Sequence, residues 1–80
     1  MNILELRKLV ETQPMKQLVA AELALLEEGN TPFYVVGEDD SEKLTHLLAA
    51  INILEIMKSK GVEFKQALQD YSRSVRESQY

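Results

Sequence analysis

Eighty residues make one domain, and a chain this short hides only a marginal core, so burial against a second copy would add materially to its stability. With 45% apolar and 28% charged residues, the composition is that of a globular chain rather than a disordered one. The lack of cysteine excludes disulfides, cysteine-based zinc sites, iron–sulfur clusters and a thiol nucleophile, and a net charge of -4 argues against general nucleic-acid binding.

The charge is unevenly spread. Residues 1–57 hold four Lys or Arg against ten Asp or Glu, whereas residues 58–80 hold five (Lys58, Lys60, Lys65, Arg73, Arg76) against three. A basic C-terminal quarter on an acidic body suits helix pairing within the chain or complementarity between subunits; a solvated charged face is the plainer reading. The opening residues interleave Glu5, Arg7, Lys8 and Glu11 with apolar positions. They form neither a signal peptide nor a membrane span, and the expected location is the cytoplasm.

In chain order, residues 2–12 place Ile3, Leu6 and Val10 on one side of a short helix, widened by Leu4 and Leu9. Pro14 interrupts. Proline is tolerated in a first turn and costly inside a helix, so it opens a second helix over residues 14–28; one continuous helix kinked at Pro14 is the alternative. Met15, Leu18, Val19, Leu23, Leu25 and Leu26 gather on one face of that helix, with Glu22 projecting near their middle. A lone buried carboxylate is costly, so Glu22 is expected to reach the rim or a cation; a buried acid with a raised pKa is the functional alternative. Gly29 and Asn30 end the helix.

Residues 31–37 break the helical pattern, with the apolar run Phe33, Tyr34, Val35 and Val36 between Pro32 and Gly37. No other strand-like run exists, so this extended segment either packs over the helices as a loop or pairs with its own copy across a two-fold axis. Residues 40–60 form the longest helical pattern. Asp39 and Glu42 make a capping box, Lys58 and Lys60 complement the last turn, and Gly61 closes it. Leu44, Leu47, Ala50, Ile51, Ile53, Leu54 and Met57 cover half to two-thirds of its circumference, which leaves Thr45, Asn52, Glu55 and Ser59 as a polar strip. This helix should be central and contact two or more neighbours. Residues 62–77 then turn back as a fourth helix with the stripe Phe64, Leu68, Tyr71 and Val75, and Ser78, Gln79 and Tyr80 should fray.

Chemistry-bearing motifs are few. No phosphate loop or calcium-loop spacing is present, and the serines lack an evident base. His46, one turn after Glu42, is expected to be a semi-buried, locally hydrogen-bonded histidine, because two groups on one helix do not make a metal or catalytic site.

The positions Met1, Leu6, Arg7, Lys8 and Leu9, with Leu44, Met57, Gly61, Lys65, Gln66, Ala67, Leu68, Tyr71 and Val75, resemble the short, functionally uncharacterised helical protein families of bacteria, of the type seen in Bacteroidetes. The Phe33 to Val36 insert departs from that pattern. The resemblance implies a small helical cytosolic protein and transfers no site.

The expectation is therefore an all-α bundle of about four helices, two short or medium and two long in a C-terminal antiparallel hairpin, with an extended apolar connection. It is expected to be a non-enzymatic interaction or regulatory protein without a cofactor, forming a homodimer or binding another protein. The candidate interface is Phe33, Tyr34, Val35, Val36, Leu47, Ile51 and Leu54. Two alternatives stand beside it: a binding or catalytic module built on Glu22, Glu42 and His46, and a weak nucleic-acid binder using the basic C-terminal helix.

Overall fold

The structure, a computed structural model, describes residues 2–77, so the fraying expected at residues 78–80 lies outside it. Four α-helices form among the described residues: α1 (Ile3–Thr12), α2 (Met15–Glu28), α3 (Asp40–Lys60) and α4 (Phe64–Glu77). The chain is all-α, and α1, α2 and α4 each pack chiefly on α3. That is the central role expected from the width of the apolar arc of α3.

Each boundary has a local cause. The Asn2 side chain accepts the Glu5 backbone N–H at 3.2 Å and starts α1. Gln13 and Pro14 are both extended, with φ of -116° and -69°, which separates α1 from α2 and rules out one kinked helix. Pro14 is the N-cap residue rather than part of the first turn, and its carbonyl accepts Gln17 N–H at 2.9 Å and Leu18 N–H at 3.1 Å. Gly29, at φ 75°, closes α2 and donates its N–H to the Leu25 carbonyl at 3.0 Å. At the start of α3, Asp39 Oδ1 accepts Glu42 N–H at 2.9 Å. The return bond of the box is displaced by one residue: Glu42 Oε2 accepts the N–H of Glu38, at 3.0 Å, rather than that of Asp39. The fourth helix begins at Phe64, two residues later than expected, because Val62 is spent on the turn after Gly61 and packs against the core.

One core unites the elements. Leu6, Leu18, Leu47 and Ile53 are its largest fully buried side chains, and burial of each contributes roughly 1.5–3 kcal/mol. Ala21, Ala49, Ala50 and Ala67 are also sealed, so the backbones around α3 approach closely. Of the expected stripe, Phe64 is buried, Leu68 and Tyr71 pack against the core and Val75 is half-buried, and the Arg7 guanidinium lies 5.8 Å from the Phe64 ring centroid.

The segment between α2 and α3 forms no strand among the described residues. It is an apolar loop: Val35 is buried, Phe33 packs against the core, Val36 is half-buried, and Tyr34 points outward at 78% exposure. Gly37 (φ 154°) lets the chain pass α3, since a Cβ there would lie 2.9 Å from both the Lys43 backbone nitrogen and its Cγ.

The helices differ in how their charges meet their dipoles. The third has Asp40 and Glu42 in its first turn and Lys58 and Lys60 in its last, the stabilising arrangement. In α2 the order is reversed: Lys16 sits in the first turn, Glu27 and Glu28 in the last, and Pro14 supplies no side-chain cap. Each misplaced charge costs on the order of 0.3–1 kcal/mol.

Candidate functional site

Two surface features of this packing bear on function, a cleft beside α3 and an apolar stripe on α2. The cleft forms where the 33–38 loop crosses the first turns of α3 and the N-terminus of α1. It has a volume of about 450 Å³ and is lined by Asn2, Tyr34, Glu38, Glu42, Thr45 and His46 among others. Glu42 and His46 therefore share one wall, as their spacing requires. Glu22 does not line it; it is half-buried on α2, so the expected cluster of Glu22, Glu42 and His46 is not assembled there.

His46 is 6% exposed and uses both ring nitrogens. The backbone N–H of Asn2 points at Nε2 at 3.2 Å, and an N–H can only donate. Nε2 must then be the acceptor, which puts the ring proton on Nδ1, 3.0 Å from the Glu42 carbonyl that accepts it. The neutral ring thus ties the start of α1 to α3. Glu42 is engaged with Glu38 N–H, and Thr45 Oγ1 donates to the Ser41 carbonyl at 3.0 Å. His46, Glu42 and Thr45 are thus occupied in holding local structure. Among the described residues no three of His, Cys, Asp and Glu gather in a way that could hold a metal ion.

The expected interface residues are dispersed by the fold. Leu47 is fully buried and Val35 is 3% exposed, so neither is available to a partner. Phe33, Val36, Ile51 and Leu54 are half-buried, and only Tyr34 stands clear. Of the apolar arc of α3, Leu47, Ala50 and Ile53 are buried beneath the other helices, Leu44, Ile51, Leu54 and Met57 are half-buried, and Leu48 beside them is 38% exposed.

Three of the exposed large apolar residues lie together on α2. Leu18, Ala21 and Leu25 are buried, whereas Val19, Leu23 and Leu26 are 39%, 51% and 62% exposed. At about 100° per residue these three form a continuous stripe beside the buried edge, separated from it by Glu22 and Met15. The width of the apolar arc of α2 was the available sign. One neighbouring helix covers a narrower stripe than the six apolar residues Met15, Leu18, Val19, Leu23, Leu25 and Leu26 present. Leu4 at 73% and Ile3 at 47% are further exposed apolar residues, on α1.

The basic quarter is partly neutralised within the chain. Lys60 Nζ donates to Asp70 at 3.1 Å, Gln66 donates to the same carboxylate at 3.1 Å, and Arg73 lies 3.8 Å from it. The Lys60 hydrogen bond, then the Gln66 bond, hold the Asp70 carboxyl below its usual range.

A family model described as a family of unknown function (DUF6952) matches residues 1–79. The chain belongs to that family. The match runs through all four helices and both surface features. Among curated proteins and among solved structures nothing matches. Among the described residues no helix is long and apolar enough to cross a membrane.

Proposed function

We propose that this DUF6952 chain is a small, non-catalytic interaction or regulatory protein of the cytoplasm whose working surface is the outer face of α2. The exposed stripe Val19, Leu23 and Leu26 carries this reading, because contiguous apolar residues left open on a folded surface mark association sites. Absence of catalysis is supported by the cleft, where His46 and Glu42 are committed to backbone groups. Binding of nucleic acid through the C-terminal helix is disfavoured by the pairing of Lys60 and Arg73 with Asp70.

The test is a comparison of wild type with Leu23→Lys, both tagged and returned to the native cell. The variant should keep its helical circular dichroism and lose the proteins that co-purify with wild type, its own untagged copy included. Identical sets of captured proteins would refute the assignment of the surface.

A further inference from the structure

We infer that the occupant of the α2 face is a second copy of the same chain, with the two α2 helices packed antiparallel about a two-fold axis that passes between Glu22 and Leu23. The inference deepens the functional reading above and rests on it for the choice of surface, but its support is independent: the charges of α2. Lys16 occupies the first turn, Glu27 and Glu28 the last, against the dipole of the helix, and all three are exposed. Among the described residues none of the three takes part in an ion pair, whereas Glu5, Arg7, Lys8, Glu11, Lys60, Asp70 and Arg73 all do.

Antiparallel pairing resolves this inversion. Each α2 would lay its positive N-terminal end and Lys16 beside the acidic last turn of the other. The stripe has the matching symmetry: with the axis so placed, Val19 of one copy lies level with Leu26 of the other, and the two Leu23 side chains meet near the centre. The flanks agree as well. Lys16 and Glu27 lie within about 20° of one another around the helix, on the same side of the stripe. A two-fold axis perpendicular to both helices turns each end over end, so that like flank meets like flank. Lys16 then faces Glu27 of the other copy, offset by only about 3 Å along the axis. A parallel pair would set Lys16 level with Lys16 and Glu27 level with Glu27, and gains nothing.

Glu22 limits the affinity. It lies on the opposite flank of the stripe, nearly level with the axis, so the two Glu22 carboxylates approach each other when the helices pair. Two like charges at the centre of a small apolar contact make the association weak and reversible.

The experiment is sedimentation equilibrium of the full chain from micromolar to millimolar concentration, on wild type and a set of variants whose folding is checked by circular dichroism. Wild type should show a monomer–dimer equilibrium. Leu23→Lys should raise the dissociation constant at least about tenfold. Lys16→Glu and Glu27→Lys should each weaken the dimer by about threefold to tenfold, while the double change K16E/E27K, or an equimolar mixture of the two single variants, should restore it. Glu22→Gln should tighten it. A wild type that stays monomeric at millimolar concentration would overturn the self-pairing, and if it still captured another protein through Leu23 the functional proposal would survive alone. A dimer that K16E/E27K weakens further would overturn the antiparallel arrangement.

Discussion

The Nε2 atom of His46 accepts the backbone N–H of Asn2, 44 positions earlier in the chain, at 3.2 Å. Because Asn2 is also the N-cap of α1, one imidazole fixes both where α1 starts and how it meets α3. Replacing it by leucine preserves bulk but removes the acceptor. His46→Leu should cost on the order of 1–2 kcal/mol in urea unfolding. The tautomer is checked separately: nitrogen NMR of the folded wild type should show the ring proton on Nδ1. A proton on Nε2 would contradict the bond to Asn2.

Gly37 is the one glycine where both conformation and space exclude a side chain. Gly37→Ala should destabilise by about 1–3 kcal/mol, from the strained φ and the crowding of Lys43. Gly61, which shares a positive φ but has open space around its Cβ, should tolerate alanine better. Thermal or urea unfolding of the two variants side by side checks the ranking, and equal losses would contradict it.

Asp70 gives the chain an acid dependence of known sign. Its folded pKa is lowered, first by the Lys60 hydrogen bond, from an ordinary value of 3.8. Its stabilisation is therefore present above that ordinary value and is lost as pH falls through the lower folded one. Unfolding of wild type and Asp70→Asn across a series of pH values should show a constant gap near neutrality that narrows in strong acid. A gap that persists in acid would exclude Asp70 as its source.

Much of this arrangement is legible from local chemistry. Asp39, Glu42, Lys58, Lys60 and Gly61 specify the ends of α3 because caps and dipole partners act within one turn, and Pro14 separates α1 from α2 for the same reason. The buried position of Val35 is less legible, since an apolar run does not reveal whether its own helices or another copy will cover it. The spacing of Glu42 and His46 puts both in the cleft, but the bond to Asn2 depends on tertiary placement and leaves no trace in spacing. Leu47, expected at an interface, is fully buried for a physical reason. A wide apolar arc on α3 is satisfied when three helices surround it, whereas the wide arc on α2 meets essentially one. Arc width has to be weighed against the number of neighbours, and that number comes from the fold.

Proton–nitrogen correlation spectra of the wild-type chain, recorded from micromolar to millimolar concentration, report directly which apolar face carries association. The amides of Val19, Leu23, Leu26, Lys16 and Glu27 should shift together with one dissociation constant, while those of Leu47, Ile51 and Leu54 stay fixed. Concentration-dependent shifts centred on Tyr34, Val36 and α3, with α2 unchanged, would contradict the assignment of α2 as the working face.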